Sequence, residues 1–186
     1  MNNRYIVFDV ETPNSMNNRM SAIGLSVVEN GQITENRSWL VDPQSRFDWF
    51  NMELTGITPE LVRTAPAFPE LWTELRPLME SGLLVAHNAH FDMSVLAKCL
   101  RDYGLCWQSR VSYACTCQMG RRLLPQLPNH RLNTLCNFLN IQLDHHRADS
   151  DSQACAGLLI HYLRAGMDIR PFIRRYDLIA CRTCPR

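Results

Sequence analysis

The stretch IVFDVETPN at residues 6–14 joins a short apolar run to two closely spaced carboxylates. The apolar run predicts a β-strand, and Asp9 and Glu11 follow it two positions apart. Side chains at i and i+2 of a strand point to the same face, so both carboxylates face one place. Two ionised carboxylates about 5 Å apart repel by roughly 3 kcal/mol at an effective dielectric near 20. A proton, an arginine or a divalent cation can relieve that repulsion.

Length and composition predict one globular domain. The chain has 186 residues, of which 46% are hydrophobic and 20% charged, and its net charge is +1. Such a chain can bury a sizeable core, and its overall charge gives no sign of a nucleic-acid partner. No run of residues has the length of a membrane span or the pattern of a signal peptide, so we expect a soluble, cytoplasmic protein without a membrane partner. The eight cysteines are then expected as thiols.

The order of strand and helix patterns is typical of an α/β fold, a mixed central β-sheet flanked by α-helices. Strands are predicted at 4–10, 21–29, 32–41, 82–88 and 110–114, the second and third forming a hairpin around Asn30-Gly31. Helices are predicted at 59–63, 68–80, 91–104, 115–124, 128–141 and from Ser150 onward, where Ser150 and Gln153 form a capping-box pattern. Residues 43–58 are expected to be irregular. We divide the chain into a domain at 1–168 and a basic tail at 169–186, which we expect to be solvated; packing as a final helix and binding of phosphate are the alternatives.

Two further carboxylates are expected near the first pair. HNAHFD places Asp92 in the first turn of a helix that follows a central strand, and HHRADSD places Asp151 at the start of the last helix. Either could be no more than a favourable charge at a helix N-terminus. However, strand ends and helix starts gather at one edge of an open α/β sheet, so all four acids can meet there. Four oxygen donors favour Mg²⁺ or Mn²⁺, and two such ions ~3.5–4 Å apart are suited to phosphodiester hydrolysis.

A histidine in the loop before the last helix is a candidate general base. His146 lies five residues before Asp151, and an imidazole beside a metal-bound water can take its proton near neutral pH. His145 is the rival for this role, and a surface histidine is the alternative for both.

Taken together, the three segments resemble the DnaQ-like 3′→5′ exonucleases, the DEDDh branch of the RNase H-like fold, which includes proofreading enzymes. FDVET matches the first motif, an aspartate, any residue and a glutamate, and HNAHFD carries the second. The third motif, a histidine followed five residues later by an aspartate, matches His146 and Asp151, whereas Asp149 is only three residues away. The resemblance extends from about residue 4 to 165 and includes the short segment LTGITPE.

The resemblance implies a role for each matched residue. Asp9, Glu11 and Asp151 would bind the catalytic metal ion, and Asp9 would bridge to a second ion that Asp92 helps to hold. His146 would be the general base. The expected cofactor is a pair of Mg²⁺ ions, which Mn²⁺ can replace.

The resemblance also implies a substrate groove. Its expected members are the main chain near Val10 and Thr12 and the side chains of Met16, Thr55, His87, Asn88 and Phe91. Two positions depart from the family pattern. Many relatives have Thr-Gly and then an apolar wedge after the first motif, whereas here the chain continues TPNSM, with Ser15 at the usual wedge position and Met16 as the substitute. Thr55 stands where many relatives have a histidine.

The expected function is a metal-dependent 3′→5′ exonuclease that acts on single-stranded DNA and releases nucleoside 5′-monophosphates, with a DNA polymerase as a candidate partner. Two alternatives stay open: an exoribonuclease that trims RNA 3′ ends, and a module that binds nucleic acid or a polymerase without cutting. A degenerate module is expected to lose carboxylates, and this chain keeps all four. The sequence does not determine the oligomeric state.

Overall fold

A mixed sheet of six strands in the order β3-β2-β1-β4-β5-β6 forms the centre of the computed structural model, which describes residues 4–178. The strands are β1 (Arg4–Glu11), β2 (Ala22–Glu29), β3 (Gln32–Leu40), β4 (Leu83–Ala86), β5 (Arg110–Cys115) and β6 (Arg174–Asp177). The helices are α1 (Trp49–Thr55), α2 (Pro59–Val62), α3 (Phe68–Glu80), α4 (His90–Asp102), α5 (Thr116–Leu123), α6 (Leu132–Leu139) and α7 (Ala148–Arg164), followed by a 3₁₀ turn at Arg170–Phe172. β1, β4 and β5 are parallel, and the other pairings are antiparallel. The predicted α/β class with a mixed sheet is confirmed.

The predicted hairpin is confirmed at β2 and β3. Asn30 and Gly31 join the two strands with φ angles of 51° and 74°. A primed two-residue turn needs positive φ at both positions, and asparagine followed by glycine accepts that conformation at least strain.

The alternation along β1 divides the core into two layers and points the carboxylates to one of them. Ile6 and Phe8 pack into the apolar cluster that includes α3 and α4. Tyr5 and Val7 pack into the cluster that includes α6 and α7. Asp9 and Glu11 follow Tyr5 and Val7 at the same two-residue spacing. Their side chains therefore point to the α7 side of the sheet.

A close contact between β2 and the first turn of α7 depends on Gly24. Gly24 is paired with Asp9 in the sheet. A Cβ atom at position 24 would lie 1.8 Å from the carbonyl oxygen of Ala148. Only glycine therefore lets α7 begin directly against the strand beside Asp9, which brings Asp151 to the same place.

The structure corrects two predicted boundaries. Residues 43–58 contain α1, which sequence patterns did not indicate because none of its residues is buried. The capping box was wrong: α7 begins at Ala148, and no side chain caps it. The Ser150 hydroxyl instead accepts a hydrogen bond from the Asp144 amide at 2.7 Å, and Gln153 accepts one from Asn36 at 3.1 Å.

The sheet extends past the boundary expected at residue 168. β6 pairs antiparallel with β5, and Leu178 is only 3% exposed. The described part of the expected tail is therefore the sixth strand of the sheet and the turn before it. Cys181 and Cys184, the CxxC pair of the sequence, lie outside the described residues.

Two further expectations concern cysteines and membranes. Within residues 4–178, six cysteines are free thiols: Cys99, Cys106, Cys115, Cys117, Cys136 and Cys155. Among residues 4–178, no helix has the length and apolarity needed to cross a bilayer.

The contact at Gly24 yields a prediction about stability. Gly24→Ala should lower the free energy of unfolding by about 3 kcal/mol, at the upper end of overpacking effects, because the clash is with backbone. Gly157→Ala, on α7 itself, is the matched control, since its Cβ would lie 3.3 Å from a side-chain methyl of Ile141. We expect it to change stability by less than ~1 kcal/mol. Urea unfolding of both variants measures the difference, and equal effects would contradict the proposed role of Gly24.

Candidate functional site

Three carboxylates from distant parts of the chain meet at the end of β1. One oxygen from each of Asp9, Glu11 and Asp151 lies within 4.8 Å of the others. Glu11 is 8% exposed and Asp151 3% exposed. The structure thus brings together three of the four acids that the sequence singled out.

The fourth carboxylate lies beside this group in the first turn of α4. Asp92 is 3% exposed and accepts a hydrogen bond from the Val10 amide at 3.3 Å. This bond ties the start of α4 to the end of β1. It also places the negative charge of Asp92 close enough to raise the pKa of Asp9.

Burial and mutual repulsion make this cluster a strong acceptor of positive charge. Burial, followed by the charges of Asp151 and Asp92, raises the pKa of Glu11 to about 8. Burial is also the largest cause that raises the pKa of Asp92 to about 7 and that of Asp9 well above its usual range. Ionising all four groups at neutral pH therefore requires a compensating cation. Because every donor is a hard carboxylate oxygen, the cluster fits a divalent cation such as Mg²⁺ or Mn²⁺.

The loop before α7 holds Asp151 in place. Nδ1 of His145 lies 3.1 Å from each carboxylate oxygen of Asp151. The amide of His146 donates to one of those oxygens at 3.0 Å. These contacts offset part of the effect of burial, which still raises the pKa of Asp151.

The two neighbouring histidines occupy different positions. Their rings stack with centroids 3.9 Å apart. His145 lines the same cavity as Asp9 and Asp151, whereas His146 lines an adjacent cavity with Thr55 and has a left-handed backbone with φ of 70°. Burial and the charge of His145 lower the pKa of His146, which favours its neutral, proton-accepting form. In this structure the ring of His145 is thus the one in direct contact with Asp151.

A cavity of about 440 Å³ opens beside the carboxylates. Its lining comprises Asp9, His87, Asn88, Cys117, Arg121, Asn129, His130, Arg131, Leu132, His145 and Asp151. Sequence reasoning missed Arg121, His130 and Arg131. The only signal for them was the basic character of residues near α5 and α6, which an ordinary solvated helix shows equally.

His87 forms part of the wall of this cavity. Its Nδ1 lies 2.9 Å from the Thr116 hydroxyl and its Nε2 lies 3.0 Å from the His130 carbonyl. Burial lowers its pKa to about 4. The ring is therefore neutral, with Nε2 donating to the carbonyl, and both of its nitrogens are engaged by protein atoms. This arrangement fits a positioning role better than a direct polar contact with substrate.

The loop that follows the first carboxylate pair is held by α1. The Asn51 side chain donates to the Thr12 carbonyl at 2.9 Å. Met16 is 58% exposed on this loop, and Trp49 and Phe50 on α1 are 70% and 66% exposed. Sequence reasoning missed the two aromatic residues because α1 itself was not predicted.

The other expected groove residues have local roles in the structure. The Thr55 hydroxyl donates to the Asn51 carbonyl at 2.8 Å and accepts from the Ile57 amide at 3.1 Å. Asn88 has a left-handed backbone with φ of 57° just after β4. Phe91 is 37% exposed and does not belong to the buried residues of α4.

Comparisons with known proteins place these features in context. The family model RNase_T, described as "Exonuclease", matches residues 6–159. The chain is 35% identical over 162 residues to the PolC-type DNA polymerase III of Halalkalibacterium halodurans and 34% identical over 163 residues to that of Bacillus subtilis. Each match covers 86% of this chain but only 11% of the relative, so the chain spans about a tenth of the length of these curated relatives.

Solved structures confirm the expected RNase H-like fold. Exonuclease X in complex with 5′ overhanging duplex DNA superposes with a TM-score of 0.74 at 24% identity, covering 90% of this chain and 96% of the other. The nuclease domain of 3′hExo, a DEDDh family member bound to rAMP, gives a TM-score of 0.74 at 16% identity. The match covers 93% of this chain and 96% of the other.

The raised pKa values predict how pH affects the metal-free protein. Because the folded pKa of Glu11 is raised from 4.5 to about 8, the folded state binds protons more tightly than the unfolded state. Stability should be greatest below pH 4.5, as far as this group is concerned, and should decrease as pH rises towards 8. Thermal unfolding in EDTA should show this decrease, and Mg²⁺ should raise Tm more at pH 8 than at pH 5.

Asp9→Asn provides the control for that measurement. It removes one charge from the cluster, so the metal-free variant should melt at a higher temperature than wild type at pH 8 and depend less on pH. A metal-free wild type whose stability does not change between pH 5 and 8, or increases, would contradict the repulsive cluster.

Proposed function

The chain belongs to the RNase_T family of exonucleases, among the DnaQ-like 3′→5′ enzymes, and we propose that it removes nucleotides one at a time from the 3′ end of single-stranded DNA as nucleoside 5′-monophosphates. The observation that carries this proposal is the convergence of Asp9, Glu11 and Asp151 within 4.8 Å, with Asp92 beside them. A degenerate binding module would have no need to keep four repelling acids together, three of them buried.

The carboxylates divide between two proposed metal positions. Asp9, Glu11 and Asp151 would hold one Mg²⁺ ion, and Asp9 and Asp92 would hold the second. When bound, such a pair lowers the pKa of a water molecule and stabilises the charge on the leaving oxygen. The contacts from His145 and from the His146 amide keep both oxygens of Asp151 in a fixed orientation for this purpose.

We assign the general base to His146, with His145 as the positioning residue. The depressed pKa of His146 keeps its ring neutral at pH 7, in the form that accepts a proton. His145 is already engaged with Asp151. Rotation of the His146 side chain alone would let its ring face the water, while the His146 amide and the His145 ring keep their contacts with Asp151.

The identity of the relatives supports DNA as the substrate. Those that are 34–35% identical are DNA polymerases of bacteria, which supports a DNA polymerase as the partner and the cytoplasm as the location. Thr12, on the loop beside Glu11, is 6% exposed and its carbonyl is bonded to α1. With the terminal sugar against the main chain near Val10 and Thr12, as the resemblance implies, a nucleic-acid strand that continued past the sugar would collide with this loop, so digestion should need a free 3′ end.

The test of this function is a ladder assay on linear oligonucleotides labelled at the 5′ end, beside a covalently closed single-stranded circle and a matched RNA. With Mg²⁺ or Mn²⁺, we expect stepwise shortening of the linear DNA, slower shortening of the RNA, and an intact circle. EDTA should stop the reaction, and Asp9→Asn should abolish it. Nicking of the circle, or an Asp9→Asn variant within tenfold of wild-type activity, would overturn the proposal.

The two histidines give a second test. His146→Ala should slow turnover by ~10²–10⁴-fold, the usual contribution of a general base, and should remove the acidic limb of the pH–rate profile. Because its pKa is lowered from 6.5, that limb in the wild type should lie below pH 6.5. His145→Ala should keep the limb and mainly weaken activation by Mg²⁺. The opposite pattern would show that His145 is the base.

A further inference from the structure

A second cavity, of about 400 Å³, opens near the carboxylates. It shares one lining residue, Asn88, with the cavity beside the carboxylates. Its lining comprises Asn88, His90, Tyr113, Cys115, Gln118, Pro171, Phe172 and Arg174. Three of these residues belong to the 3₁₀ turn and β6, the segment that the sequence suggested was a solvated tail. That segment therefore encloses a cavity in the folded protein.

The second cavity lies along the sheet edge that carries the metal-binding carboxylates. Strands β1, β4 and β5 are parallel, so their carboxyl ends share this edge. β6 begins at the same edge because Arg174 pairs with Tyr113 near the end of β5. Neighbouring strands are ~4.8 Å apart, so β6 starts ~14 Å from β1. That distance equals about four stacked nucleotides at ~3.4 Å each.

Asn88 connects the two cavities, since it lines both. It stands in the left-handed turn between β4 and α4, directly before the helix that carries Asp92. A nucleic-acid strand that leaves the carboxylates can cross this turn and enter the second cavity without passing through the protein.

The lining of the second cavity suits single-stranded nucleic acid. Tyr113, His90 and Phe172 offer aromatic surfaces on which bases can stack, and Asn88 and Gln118 offer amides. Aromatic stacking next to a cation is the usual means of holding single strands without sequence preference.

Arg174 is the cation, and its position is supported by its own segment. One terminal nitrogen of its guanidinium group donates to the carbonyls of Pro171 and Ile173 at 2.8 and 3.0 Å. A guanidinium has five N–H donors, so Nε and the other terminal nitrogen can still bind a phosphate. The exposed side chain is thus held in place without using all of its donors.

We propose that this cavity binds the nucleotides on the 5′ side of the cleaved phosphodiester, with Arg174 on a phosphate and the aromatic residues on bases. The proposal rests on the proposed function and extends it, because it identifies where the incoming strand lies. It also predicts that longer substrates are cleaved more efficiently than short ones.

The experiment compares Arg174→Gln with Arg175→Gln. Arg175 is the next residue on β6, so its side chain points to the opposite face, it does not line the cavity, and its loss changes the net charge equally. The substrates are an eight-nucleotide DNA and the p-nitrophenyl ester of thymidine 5′-monophosphate, which contains one nucleotide. The measured quantity is the ratio of kcat/KM for the two substrates.

We expect Arg174→Gln to lower that ratio at least tenfold and Arg175→Gln to change it less than twofold. Anisotropy of the labelled DNA in EDTA should show weaker binding only for Arg174→Gln. The slope of log Kd against log salt should decrease by ~0.7, the value for one phosphate contact on a single strand.

Phe172→Leu keeps an apolar side chain but removes the ring, and it should also lower the ratio of kcat/KM for the two substrates. The melting temperature of each variant shows whether β6 is still folded.

The outcomes separate the two proposals. Equal ratios for Arg174→Gln and Arg175→Gln, with both proteins folded and active, would overturn the cavity proposal alone, and would favour a protein partner at this cavity. A wild type that hydrolyses neither substrate in Mg²⁺ or Mn²⁺ would overturn the proposed function, whatever the binding measurements show.

Discussion

Repulsion among four carboxylates, of which Glu11, Asp92 and Asp151 are buried and Asp9 is half-buried, is the constraint on which the rest of the site depends. Burial raises the pKa of Glu11 to about 8, so the cluster opposes folding at neutral pH unless cations join it. The surrounding core must therefore hold the acids against their own repulsion. It does so by the alternation of β1 between two apolar layers, by the bond from the Val10 amide to Asp92, and by the contact of α7 with Gly24. A site that attracts divalent cations strongly follows from this arrangement.

The features of the fold and site that the sequence predicts are those set by the two-residue repeat of a strand, by a local turn preference or by a general rule of sheet topology. The two-residue period of a strand was sufficient to place Asp9 and Glu11 on one face. The rule that strand ends and helix starts share an edge was sufficient to bring Asp92 and Asp151 towards them. The hairpin at Asn30-Gly31 followed from a local turn preference. Each of these inferences needed only neighbouring residues and a correct assignment of strand or helix.

The parts that sequence could not predict depend on contacts between distant segments. α1 buries none of its residues, so no apolar period marks it, and its position comes from the bond between Asn51 and Thr12. β6 is short and rich in arginine, and only its pairing with β5 makes it a strand. The cavity wall formed by Arg121 and Arg131 likewise requires the packed positions of α5 and α6. The orientation of the two histidine rings depends on a left-handed backbone at His146 that no motif encodes.

The separation of the clustered carboxylates along the chain has a consequence for biosynthesis. Asp151 is made about 140 residues after Asp9, and it reaches the cluster only when α7 has packed on β2. At ~5–20 residues per second, a ribosome needs on the order of ten seconds to cover that distance. A nascent chain therefore carries only part of the carboxylate cluster throughout this interval, and the packing of α7 completes the cluster. Because Asp151 is one of the proposed metal ligands, nuclease activity should begin only after α7 has packed on the sheet.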